Sequence, residues 1–224
     1  MKNAKISIVI PSKNEGEGID RVIKSVKKYS DEIIVVDGHS NDGTKEICNK
    51  NNVRFFLDNR KGKGDAVRLG LKKVVGDIII LFDSDGSPSA KDIPNLIKEI
   101  KKGADMVIAS RRTGGSFDFE ITPGGILRTF GSDFMTYLVN SKFKTNLSDV
   151  LYNFRAIRKN VARKLLLKAS GFDIEQEMLV KVLRGGFKVV EIPSRENSRK
   201  WGKSKLKTLM GLSLLYKLIK TLYF

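Results

Sequence analysis

Five short runs rich in β-branched residues punctuate the first half of the chain: ISIVI at 6 to 10, EIIVVDG from Glu32, VRFFL from Val53, DIIILFDSD from Asp77 and DMVIAS from Asp105. Runs such as 6 to 10 and 78 to 82 are apolar at nearly every position instead of alternating, the pattern of strands whose two faces are both covered by helices. Between them, 17 to 29, 43 to 51, 62 to 75 and 89 to 102 carry helical periodicity, with Ser89 or Asp92 and Asn41 or Asp42 as candidate N-caps. This βαβ rhythm predicts an α/β fold with a mostly parallel central sheet and helices on both faces. The second half is less regular: a helix near 124 to 140, a strand at 151 to 157, helices near 159 to 168 and 175 to 184, then a strand in FKVVEIP from Phe187. No repeat or linker divides the 224 residues, so one domain over 1–205 is expected, followed by a basic amphipathic helix at 206–224.

In such a sheet, ligands gather beyond the carboxyl ends of the strands. Polar clusters follow the strands there: SKNEGEG, DGHSNDGT, DSDGS and SRRTGGS. Asp83 and Asp85 are two apart at a strand end, so both carboxylates can face one divalent cation, although acidic residues there are more often turn formers. Asp37, Asn14 and Glu15 pose the same choice between ligand and turn. KGKGDAVRLG, from Lys61, offers close backbone approach at Gly62 and Gly64 beside cations, which suits a phosphate or nucleotide; it does not read G-x-G-x-x-G, so a dinucleotide fold is unsupported.

Charge narrows the partners. Lys and Arg total 42 against 25 Asp and Glu, a formal +17, which favours an anionic partner: a nucleotide, a nucleic acid or a membrane surface. The basic residues are spread along the chain rather than gathered in one stripe, so nucleic acid is not expected. The single Cys48 excludes an internal disulfide and fits a reducing compartment. The N-terminus lacks the pattern of a signal peptide, and no run reaches the roughly 18 apolar residues of a spanning helix. A cytoplasmic protein, at most peripheral on a membrane, is expected.

Taken in order, VIPSKNE, VVDGHSNDGT, KGKGDAVRLG, LFDSDGS, IASRR, SDVLYNFRAI, QEMLVKVLRGGFKVVEIP and SRKWGKSKL resemble the family 2 glycosyltransferases of GT-A fold, and among them the dolichyl (polyprenyl) phosphate mannose or glucose synthases. The resemblance covers roughly residues 5 to 205. It implies an inverting transfer of a hexose from a nucleotide sugar, GDP-mannose or UDP-glucose, to a polyprenyl phosphate. Pro11, Asn14, Glu15 and Asp37 fall where the family holds the nucleoside, Asp83 and Asp85 where it holds Mg²⁺ or Mn²⁺ and the diphosphate, and Arg199 and Lys205 where cations grip the diphosphate from the other side. Arg111, Arg128 and Ser132 match the positions used for the lipid phosphate. Of these, Asp85, Arg128 and Arg111 are the catalytic candidates. Arg128 and Ser132 also lie one helical turn apart, able to share an anion. Two departures stand out: Ser87 where the family often has Gln, and Lys13 where an aromatic usually precedes Asn.

An acceptor phosphate is already anionic near neutral pH and needs no base, whereas a saccharide hydroxyl does. Glu177 lies near where such a base would be sought, but an orienting or structural role is expected of it. The alternatives are a soluble family 2 enzyme acting on a saccharide hydroxyl and, from another class, a basic membrane- or nucleic-acid-binding module without turnover. The C-terminal LKTLMGLSLLYKLIKTLYF can lie in a membrane interface, pack on the domain or form a homodimer contact.

Overall fold

The computed structural model describes residues 3–115, 123–202 and 210–224. Seven strands form one sheet: β1 (Ile6–Ser12), β2 (Glu32–Asp37), β3 (Arg54–Leu57), β4 (Ile78–Leu81), β5 (Met106–Ser110), β6 (Arg155–Arg158) and β7 (Val189–Pro193). Their order is β3-β2-β1-β4-β6-β5-β7. All neighbours pair in parallel except β6, which runs antiparallel to both β4 and β5. The expected mostly parallel sheet is therefore present, with one reversed strand that the apolar pattern of 151 to 157 did not disclose.

Alternate residues of each strand feed two cores. Val9, Ile34, Val36, Ile79, Leu81 and Ile108 point to one face, which is covered by α3 (Lys63–Lys73), α5 (Pro123–Phe143), α7 (Ile174–Arg184) and α8 (Met210–Tyr223). Ile8, Ile10, Ile33, Val35, Ile80 and Val107 point to the other, covered by α1 (Gly16–Lys27), α2 (Thr44–Lys50) and α4 (Ile93–Lys101). Continuous apolar strands thus bury both faces, as their composition requires. The helix expected at 159 to 168 is only α6 (Lys159–Ala162); the chain then turns through a loop held by Glu177, whose carboxylate accepts from the Lys168 and Ala169 amides.

One of the two expected N-cap positions holds and the other shifts by one residue. Gly43 caps α2, while Asp42 accepts from the Gly16 amide at 2.7 Å and so pins the start of α1. Asp92 precedes α4 as expected, but its side chain accepts from Ser194 Oγ instead of capping. No helix among the described residues is long and apolar enough to cross a membrane.

Candidate active site

The loops after β1, β2, β4 and β5 converge on one cleft of about 700 Å³, closed from the far side by residues 194–202 and by the start of α7. Asp83, Ser84 and Asp85 all line it. Ser84 Oγ donates to the Pro11 carbonyl at 3.0 Å, and its own carbonyl accepts from Trp201 Nε1 at 3.0 Å. Past the end of β4 the chain turns at 84–85, and both carboxylates still line the same cleft. Asp83 accepts from Asn153 Nδ2 at 2.9 Å and pairs with Lys63 at 3.0 Å. Asp85 accepts from the Ser87 amide and hydroxyl at 3.0 and 2.8 Å, and its other oxygen pairs with Arg199 at 2.9 Å. Ser87 therefore orients Asp85 where the family's Gln would be another ligand.

Arg199 reaches the cleft on a strap, residues 194–202, laid along the 84–87 loop. The Asn197 amide donates to the Ser87 carbonyl at 2.8 Å and that of Lys200 to the Asp85 carbonyl at 3.2 Å. Trp201 anchors the strap: its ring lies so close over Gly18 and Gly86 that a Cβ on either would fall inside the indole. Arg199 then bridges Asp85 and Glu15, the latter at 3.1 Å and only 4% exposed.

Arg111 faces the cleft from the end of β5. Asp149 binds its Nε and Nη2 at 2.6 and 3.1 Å, Glu196 lies 3.4 Å from Nη1, and the guanidinium stacks over Tyr152 at 4.9 Å. Burial works against its charge, but Asp149 and then Glu196 raise its pKa and hold the cation. Burial pushes the Glu196 carboxyl above the usual range. Its neighbour Arg112 pairs with Asp133, tying this loop to α5.

The glycine-rich segment behaves differently from expectation. The Gly64 and Asp65 amides at the start of α3 donate to the Ser170 carbonyl at 2.8 and 3.3 Å, and a Cβ on Gly64 would lie 2.6 Å from the Ala169 carbonyl oxygen. The close approach serves the chain's own 169–171 loop, and those two amides are taken. Arg60, Lys61, Gly62 and Lys63 line the cleft, and Lys63 bridges Asp83 and, at 2.8 Å, Glu175. Burial lowers and the two carboxylates raise its pKa, with a net upward shift.

Of the residues singled out from sequence, Pro11, Glu15, Asp83, Asp85, Arg111 and Arg199 line the cleft. Asp37 is 1% exposed, with both oxygens bonded to Ser40 at 2.7 and 2.6 Å, so it shapes its turn. Asn14 is exposed, adopts a left-handed φ of 51° and donates its amide to Ser40 Oγ. Arg128 and Ser132 sit on α5 and are not among the described residues lining the cleft. Lys205 lies outside the described residues. Lys63, Asn153, Glu175, Glu196 and Trp201 carry site geometry that the sequence reading did not assign. Glu175 and Glu177 alternate on one helix start, and nothing in their spacing says which faces the cleft.

The donor set fits a hard divalent cation. Two carboxylates face the same space, and two nearby buried oxygens, Asn153 Oδ1 and Glu175 Oε2, have no hydrogen-bond partner. Among the described residues no cluster of three or more metal-binding side chains forms, so the remaining ligands would come from a bound diphosphate and water, the usual arrangement for Mg²⁺.

A parallel sheet whose loop edge opposes paired carboxylates to a basic strap defines the class as an α/β fold of GT-A type. Its structural likeness includes glucosyl-3-phosphoglycerate synthase from Mycobacterium tuberculosis, solved with Mn²⁺, uridine diphosphate and phosphoglyceric acid (TM-score 0.79, 21% identity, 100% of this chain and 80% of that one). The model of glycosyl transferase family 2 matches residues 7–166, and the chain belongs to that family. An uncharacterized protein of Methanocaldococcus jannaschii is 30% identical over 226 residues, 96% of this chain and 91% of that one. The dolichol-phosphate mannosyltransferase of Pyrococcus furiosus is 32% identical over 213 residues, 91% of this chain; the match spans only 59% of that enzyme's length.

Proposed function

We propose that this glycosyltransferase moves a hexose, mannose or glucose, from a nucleotide diphosphate sugar to a polyprenyl phosphate, working peripherally at the cytoplasmic face of a membrane. The observation that carries this reading is that the cleft mixes charge with apolar surface. Asp83, Asp85, Glu15 and Arg199 line it together with Leu151, Phe172 and Leu214 of α8. The outer faces of α8 and α5, which pack together, expose Leu212 (75%), Tyr216, Phe130 (70%) and Tyr137. A lipid phosphate reaching the charged groups would leave its chain along that apolar side. The resemblance to the Pyrococcus mannosyltransferase supports the same acceptor class.

Asp83 and Asp85 would hold Mg²⁺ or Mn²⁺, which supplies charge neutralisation at the diphosphate leaving group. The protein's own residues do the positioning. Pro11, Asn14 and Glu15 form the nucleoside side, with Asp37 setting the loop behind them. Arg199, held on the strap by Asp85 and Glu15, and Lys205 grip the diphosphate from the other side. Arg111, fixed by Asp149, faces the acceptor phosphate; Arg128 and Ser132, one turn apart on α5, would meet the same phosphate from outside the cleft lining. Inversion follows from in-line attack by an acceptor that needs no deprotonation; catalysis consists of holding two polyanions together and compensating their charge.

A second reading, transfer to a hydroxyl, draws on Glu196, a cleft carboxyl raised by burial and hence a better base once ionised. One experiment separates the two. Purified protein is incubated with Mn²⁺, labelled GDP-mannose or UDP-glucose, a short polyprenyl phosphate and soluble saccharide and phosphoglycerate acceptors, then extracted with organic solvent. Label in the lipid phase, lost in Asp85→Asn and Arg128→Ala, supports the first reading; label on an aqueous acceptor replaces it with the second.

A further inference from the structure

Both aspartates of the site already carry a cation from the chain itself. Arg199 Nη2 lies 2.9 Å from Asp85 and Lys63 Nζ 3.0 Å from Asp83. The two cations are held differently. Arg199 arrives on the strap, whereas Lys63 rises from the first turn of α3, its side chain 19% exposed, and is shared with Glu175 at 2.8 Å. Glu175 is buried, and its second oxygen has no hydrogen-bond partner. Lys63 therefore has somewhere to go: released by Asp83, the ammonium keeps one carboxylate and gains an acceptor already in place. An ammonium is a compact, rotatable charge on a flexible stem, suited to such a short swing, whereas a guanidinium fork is suited to a fixed geometry.

We propose that Lys63 is a displaceable cation that occupies the Asp83 side of the metal site until a divalent ion takes that carboxylate, and so sets the metal affinity of the enzyme before donor binds. The proposal rests on Asp83 and Asp85 being the metal carboxylates. A dication and an ammonium cannot share one carboxylate without strong repulsion in a partly buried site, so metal entry is an exchange rather than an addition. Lys63 is a positioning residue in this account: it acts through Asp83 and Glu175 and touches no reacting atom.

The test is direct metal binding without nucleotide, by Mn²⁺ paramagnetic resonance or calorimetry, on the full chain. Lys63→Met is expected to bind Mn²⁺ at least about ten-fold tighter than wild type, and Lys63→Arg within about three-fold of it. Wild type needs no substitution for the second measurement: Mg²⁺ should raise the acylation of Lys63 by a lysine-directed reagent several-fold, read by peptide mass spectrometry. Lys63→Met binding no tighter than wild type, or Lys63 labelling indifferent to Mg²⁺, overturns the proposal. Should Lys63→Met not fold, the labelling result decides alone. Wild type with UDP or GDP present provides the separating control. If it binds Mn²⁺ while the Lys63 effects are missing, only this proposal fails; if it binds none, the metal assignment falls and takes the proposal with it.

Discussion

Two hollows of almost equal size open at opposite ends of the sheet. The one at the carboxyl ends measures about 700 Å³ and the one at the amino ends about 690 Å³. The second is lined by the start of β1, the end of α1 and the end of α4, with Lys28, Lys98, Lys101 and Lys102 around it. Its cations are exposed: Lys102 pairs with Glu99 on its own helix, and Lys28 lies over Tyr29 next door. At the carboxyl ends, Lys63 with Glu175, Arg111 with Asp149 and Arg199 with Glu15 and Asp85 pair residues distant in sequence, several of them buried. Volume does not separate the two. What separates them is charge held at low dielectric by long-range partners, where each ion acts on its neighbours far more strongly than at a wet surface.

The largest expected effect breaks that contrast at its centre. Asp85→Asn removes a carboxylate that Ser87 and Arg199 both orient. Transfer should fall by about 10³-fold, the scale of losing a preorganised electrostatic contact, while circular dichroism stays native. A variant retaining more than a tenth of wild-type turnover would remove Asp85 from the site's chemistry. Trp201→Ala comes next, because the strap that carries Arg199 is pinned by the indole between Gly18 and Gly86. A loosened strap misplaces a guanidinium by ångströms, so kcat/KM should drop about 10²-fold. Gly18→Ala should act in the same direction, since its methyl would occupy the ring's place; unchanged kinetics in both variants would show that the strap needs no anchor.

The same contrast explains what the sequence could disclose. Ile8, Ile34 and Ile80 sit in runs apolar on both faces, and that alone required covered strands and a parallel sheet. Asp83 and Asp85 were legible because they follow a strongly apolar strand two and four residues past the end of β4, and Arg199 because its motif is local. β6 was legible only as a strand: an apolar run has no direction, and its reversal between β4 and β5 is decided by tertiary pairing. Lys63 was hidden by its glycines, which read as a phosphate cradle yet serve the 169–171 loop. Glu175 was hidden by Glu177, two residues on, whose carboxylate holds the backbone of that loop. Local pattern reports an element's own faces; it does not report which partner across the chain arrives to use them.

A smaller effect sharpens the comparison on the outer face of α8. Leu212 and Tyr216 are exposed on α8, while Leu214, Leu218 and Leu222 on its other face are buried in the core. Leu212→Asp with Tyr216→Asp should leave folding intact and lower binding to anionic vesicles by about ten-fold, from lost apolar insertion and lost charge match. Activity on a short, soluble acceptor phosphate should not change. Equal vesicle binding by wild type and variant would mean that this face does not meet lipid.

The smallest expected effect belongs to the amino-end hollow, and it could overturn the comparison most completely. Lys98→Glu with Lys101→Glu reverses two exposed charges on α4, whose apolar residues Leu96, Ile97 and Ile100 face the core and are untouched. Exposed surface charges of this kind contribute less than about 1 kcal/mol, and counterions screen them within about 10 Å at moderate salt. The site lies at the other end of the sheet, so turnover and Mn²⁺ binding should stay within about two-fold of wild type, most closely at physiological ionic strength. A loss of vesicle binding confined to this variant would place the membrane at the amino ends of the strands, away from the cleft. A ten-fold loss of turnover that salt does not abolish would mean that the two hollows are coupled, and that partnered burial is not what distinguishes a working site in this fold.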